Sequence, residues 1–116
     1  MSELLEVTTR SQDGITIVDV SGRMDAATSR DVETALNTII EGGIRKIVFN
    51  GKNLTYISSS GLRVILASLK RLKQDGGELA LAALQPAPLE VIRMTGFDRI
   101  FTIYENSELA AQTLLT

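Results

Sequence analysis

A strand-like run, a hydroxyl-rich loop, an amphipathic helix and a second apolar run follow one another through the middle of this chain. Residues 44–49 close on Ile47, Val48 and Phe49 and read as a buried strand. Leu62, Ile65, Leu66, Leu69 and Leu72 then recur at i, i+3, i+4, i+7 and i+10, which is one face of a helix. Residues 79–84, Leu-Ala-Leu-Ala-Ala-Leu, form an unbroken apolar run of the kind an interior parallel strand carries. Strands separated by helices imply right-handed parallel crossovers. Between the first strand and the helix stand Ser58, Ser59, Ser60, Gly61 and Leu62. The first turn of a helix carries free backbone N–H groups and the positive end of its dipole. A serine there caps the helix or carries a phosphate where a dianion is well tolerated.

The flanking segments extend the pattern. Residues 4–9 and 15–20 read as two strands, joined through Gln12-Asp13-Gly14 into an antiparallel hairpin. Asp25 is the expected N-cap of a first helix with Val32, Leu36, Ile39 and Ile40 inward, stopped by Gly42-Gly43. The second helix is expected from about residue 61 to residue 73, with Lys70, Arg71 and Lys73 at its negative end. Pro86 and Pro88 precede a short helix bearing Leu89, Ile92 and Met94. Residues 100–104 suggest a short edge strand, and Asn106 or Ser107 caps a closing helix with Leu109, Leu114 and Leu115. The order is β-β-α-β-α-β-α-β-α. It describes a single α/β domain over residues 3–115, with a mixed four- to five-stranded sheet and helices mainly on one face.

At 116 residues there is room for one domain. A hydrophobic fraction of 44% with 22% charged residues suits a compact core. A net charge of -2 without a basic stripe gives no nucleic-acid footprint. The absence of His and Cys excludes disulfides, Cys-His and Ser-His-Asp nucleophile chemistry, and the usual zinc sites. Asp13, Asp19, Asp25 and Asp31 show no pairing that suggests acid–base catalysis. No glycine-rich phosphate loop with a following Lys-Ser/Thr occurs, and no cofactor is implied. The first residues lack the basic and apolar regions of a signal peptide, and no apolar run approaches the roughly 20 residues of a membrane span. A cytoplasmic protein without a membrane span is expected.

Three segments together carry a resemblance. GITIVDVSGRMDAATSRDVETAL, IVFNGKNLTYISSSGLRVILASLKRLKQDGGELALAAL and VIRMTGFDRIFTIYENSELAAQTL stand in order and cover nearly the whole chain. They resemble the STAS domain family, and in particular its stand-alone bacterial anti-sigma factor antagonists. The resemblance implies a regulatory binding module rather than an enzyme. In that family the unphosphorylated protein binds an anti-sigma factor that is also a serine kinase, and so frees a sigma factor. The kinase phosphorylates the serine before Gly-Leu and ends the complex, and a metal-dependent serine phosphatase restores it. Ser60 takes the phosphoacceptor position, ahead of Ser59 and Ser58. Where the family usually has Asp two residues before that serine, this chain has Ser58; where it often has Asp at the end of the third strand, this chain has Asn50. Related roles are a scaffold of a stressosome-type complex and a small cytoplasmic subunit of a lipid transporter.

The expected partner surface comprises Met24, Asp25, Ala26 and Thr28, the loop with Asn53, Tyr56, Ser58, Ser59 and Ser60, and the helix start with Leu62 and Arg63. Both loops follow strand carboxyl ends, where open α/β sheets place binding sites. Plainer roles compete at each position. Asp25 is an N-cap, Tyr56 and Leu62 are core residues, and Arg63 is a solvated charge.

Overall fold

A computed structural model describes residues 4–115. Strand β1, Glu6–Gln12, turns through Asp13 and Gly14 into β2, Ile15–Met24. Asp13 and Gly14 have φ of 53° and 84°, the paired left-handed conformation that matches a two-residue hairpin turn to strand twist. Next come α1 (Ser29–Glu41), β3 (Lys46–Asn50), β4 (Leu54–Ile57), α2 (Ser59–Gln74) and β5 (Glu78–Ala82). Helix α3 (Pro86–Met94), a 3₁₀ turn (Phe97–Arg99), β6 (Ile103–Tyr104) and α4 (Ser107–Leu115) complete the chain.

The sheet runs β1-β2-β3-β5-β6, with β4 on the last residues of β2. Among the described residues only the β1–β2 pair is antiparallel; the β2–β3, β3–β5, β5–β6 and β2–β4 pairs are parallel. Among the described residues the sheet therefore has six strands rather than the four or five expected. The added strand is β4, and β2 runs on to Met24 to receive it.

Alternation along the strands splits the core in two. Val18, Val20, Ile47, Phe49, Leu79 and Leu81 face Val32, Leu36 and Ile40 of α1 and Leu62, Ile65, Leu69 and Leu72 of α2. Ile92 of α3 joins that layer. Ile15, Ile17, Val48, Ala80 and Ala82 line the other face, covered by Ala110, Ala111 and Leu114 of α4. Helices thus lie mainly on one face, with α4 alone on the other. Because both faces of β3 and β5 are covered, their sequences read as continuous apolar runs. Met94 of α3 and Leu109 and Leu115 of α4 are exposed.

Candidate functional site

Strand β4 sets the geometry of the serine loop. It pairs Gly22 with Leu54, Arg23 with Tyr56 and Met24 with Ile57, with a register shift between Gly22 and Arg23. Just beyond, the Ser58 amide donates to the Met24 carbonyl at 2.8 Å. This bond ties the start of α2 to the end of β2, so Ser58 lies against Met24. Both loops leave carboxyl ends of parallel strands.

Ser58 is the N-cap of α2. Its backbone is extended, and its Oγ accepts from the Gly61 amide at 3.2 Å. Ser59 and Ser60 are the first two residues of the helix, whose N–H groups have no acceptor within it. Ser59 is exposed and Ser60 half-buried. No acidic side chain lies in the first turn, while Arg71 and Lys73 sit in the last. The positive end of the dipole is thus left without a carboxylate. Gly61 is a packing residue. A Cβ there would come within 2.8 Å of Ile57 Cγ1 and 3.2 Å of Met24 Cε.

Asp25 departs from expectation, since the N-cap of α1 is Thr28. The Asp25 carboxylate organises the preceding turn instead. Its Oδ1 accepts from the amides of Ala27 at 3.0 Å and Thr28 at 2.9 Å. Thr28 Oγ1 donates to the Arg23 carbonyl at 2.6 Å and accepts from the Asp25 amide at 2.9 Å. The Thr28 amide, with its hydroxyl and the Ala27 amide, holds the Asp25 carboxyl below its ordinary pKa. This closed turn delays the helix to Ser29.

Two of the expected contact residues lie inside the protein. Met24 is 0% and Leu62 2% exposed, so both belong to the core beneath the loops and offer a partner nothing directly. Ala26, Asn53 and Arg63 are exposed, Asp25 and Thr28 are half-buried, and Tyr56 is 37% exposed. Arg23, which the sequence reading passed over, belongs with them. Its guanidinium lies 4.2 Å from the centroid of the Tyr56 ring. Its signal was parity: with Met24 inward, strand alternation turns Arg23 outward.

A second polar cluster stands apart from the serines. Arg10 Nε and Nη2 donate to Asp19 at 2.8 and 3.2 Å, and Nη2 also reaches Ser107 Oγ at 3.2 Å. Asn50 Nδ2 donates to Asp19 Oδ1 at 2.6 Å. The Arg10 bond, then that of Asn50, lowers the Asp19 pKa against the opposing effect of burial. An open cleft of about 610 Å³ adjoins this cluster, lined by Asn50, Lys52, Leu84, Leu89 and Tyr104. None of Ser58, Ser59 and Ser60 lines it. Among the described residues, no group of three or more acidic side chains could hold a metal ion. No helix there is long and apolar enough to cross a membrane.

The family model for the STAS domain matches residues 6–110. The chain belongs to the STAS domain family. This STAS domain is 36% identical to BtrV of Bordetella bronchiseptica over 112 residues, 97% of each chain. It is 35% identical to an anti-sigma F factor antagonist of Paenibacillus polymyxa over 103 residues, 88% of each. The crystal structure of an anti-sigma factor antagonist from Mycobacterium paratuberculosis has the same fold, with a TM-score of 0.92, 23% identity and full coverage of both chains.

Proposed function

We propose that this STAS domain, acting as one unit over residues 3–115, is an anti-sigma factor antagonist. In the cytoplasm its unphosphorylated form binds an anti-sigma factor that is also a serine kinase, and a sigma factor is freed. Phosphorylation of Ser60 ends the complex, and a metal-dependent serine phosphatase renews it. The protein acts by binding, not catalysis. The observation that carries this reading is the seat of Ser60. It is the second residue of a capped helix without acid in its first turn, two residues after the Ser58 amide that bonds the Met24 carbonyl at the end of β2. A phosphate there meets the free N–H groups of the helix and leaves the core undisturbed. On a partner-facing surface it repels acidic groups and makes burial of the interface costly.

The test begins with the anti-sigma kinase captured by the unphosphorylated chain from its own cells, identified, and then purified separately. Incubation with ATP should add one phosphate, mapped to Ser60 and absent from Ser60→Ala. Phosphorylated chain should no longer hold the kinase. A phosphate mapped to Thr55 or Ser68, or a phosphorylated chain that still binds, rejects the assignment.

A further inference from the structure

We propose that the free edge of β1 pairs with the same edge of a second copy, antiparallel about a two-fold axis at Thr8. Strand β1 ends the sheet order, and its seven residues pair only with β2 among the described strands. The other outer strands are protected: β6 has two residues, and β4 has four and is packed by α3. Of the devices that usually blunt an edge, β1 lacks Pro, Lys and a bulge, and its two charges, Glu6 and Arg10, are of opposite sign. Its register with β2 is unbroken from Glu6–Ser21 to Gln12–Ile15. Glu6, Thr8, Thr9, Arg10 and Ser11 are all exposed.

The turn fixes which groups point outward. A two-residue turn makes Gln12 and Ile15 a hydrogen-bonded pair, so Gln12, Arg10, Thr8 and Glu6 spend their backbone groups on β2. Val7, Thr9 and Ser11 are left with N–H and C=O groups on the open edge. One self-pairing register is favoured by charge. With Thr8 opposite Thr8, Val7 faces Thr9 and Glu6 faces Arg10, twice across the axis. Opposite charges directly across antiparallel strands stabilise the pairing. Arg10 can serve both neighbours. Its Nε and Nη2 hold Asp19, while Nη1 has no partner among the described residues. A register centred on Thr9 instead sets Glu6 against Gln12 and Thr8 against Arg10, without this complementarity. A net charge of -2 gives little general repulsion between copies.

The wild-type chain should pass from monomer to dimer mass in sedimentation equilibrium as its concentration rises to the millimolar range. Thr9→Pro removes an outward N–H that β2 does not use, so it should remain monomeric with an unchanged melting transition. Because the chain has no cysteine, single substitutions report the register. Thr8→Cys should form a disulfide-linked dimer on mild oxidation, since residues directly opposite in a non-hydrogen-bonded pair have suitable Cα spacing. Thr9→Cys should not. This pair of variants decides the question even if Thr9→Pro does not fold. A chain that stays monomeric, whatever other strand its edge accepts, overturns the proposal. So does a dimer that ignores Thr9→Pro in its folded state, or one that cross-links through Thr9→Cys but not Thr8→Cys.

Discussion

The polar side chains of the serine loop and of the separate Arg10–Asp19–Asn50 cluster make defined hydrogen bonds, and small substitutions separate them. Ser58 Oγ satisfies the Gly61 amide. Removing an N-cap oxygen costs about 1 kcal/mol, and a carboxylate at the same place gains roughly 0.3–1 kcal/mol from the dipole. Urea or thermal unfolding should therefore rank Ser58→Asp above wild type and Ser58→Ala below it. Equal stability of all three would show that the cap is energetically idle. Asn50 has a comparable logic. It is 8% exposed and donates to Asp19 at 2.6 Å, so an amide at position 50 suits an acid at position 19. Asn50→Asp replaces that donor with a second carboxylate. It should cost on the order of 1–3 kcal/mol at neutral pH, with recovery as acid protonates the pair. Wild-type Asp19 runs the other way. Its folded pKa is lowered, first by Arg10, so its contribution is full above the unfolded carboxylate value. That contribution fades as pH falls through the folded value. The stability gap between wild type and Asp19→Asn should narrow as pH drops below about 4. The gap is modest, below about 1 kcal/mol, because the pair is partly solvated. A gap that widens in acid contradicts this account.

At the scale of elements, the second helix and the strands around it were legible because their signals are local. The recurrence of Leu62, Ile65, Leu66, Leu69 and Leu72 marks one helix face; Leu66 is half-buried and the other four are buried. Strand β4 left no such trace. In Leu-Thr-Tyr-Ile only the end residues are buried, so the period-two pattern is absent. Its existence rests on pairing with β2, more than thirty residues earlier by the Gly22–Leu54 register. Gly22 also disguised β2. A glycine at φ 95° reads as a turn, yet here it lets the chain before β1 cross closely over the strand. The start of α1 was misplaced because Asp25 closes its own turn before the helix begins. Helix α2 carries the element-scale prediction. Its first turn has no acid, so Ser60→Asp and Ser60→Glu should keep the melting temperature of wild type or raise it slightly. Both should bind the anti-sigma kinase more weakly. A mimic that unfolds the domain would make the switch a structural collapse rather than a change of surface.

The proposed partner surface and the core draw on neighbouring residues of the same elements, which is why the candidate site was only partly legible in the sequence. Nearness to a loop does not reveal which side chain points out: Met24 at the end of β2 and Leu62 at the start of α2 turn inward, while Arg23 turns outward onto Tyr56. What remains outside is a shallow surface of exposed groups with Arg23 and Arg63 as its cations. Charge position can be tested against charge amount on one helix. Arg63 and Lys73 are both exposed on α2, near its head and in its last turn. Neither belongs to an ion pair found among the described residues. Arg63→Glu and Lys73→Glu change the net charge by the same amount, so diffusional steering by the overall field should change by comparable amounts. A contact at the Ser60 end depends on Arg63 alone. With the purified anti-sigma kinase, Arg63→Glu should raise Kd about tenfold or more, mainly through faster dissociation, and Lys73→Glu should change it little. Both variants should melt as wild type does, since neither side chain supports the core. Equal losses from both, carried in the association rate and erased by salt, would reduce the role of Arg63 to general steering. A loss confined to Lys73→Glu would move the interface to the far end of the helix, away from Ser60.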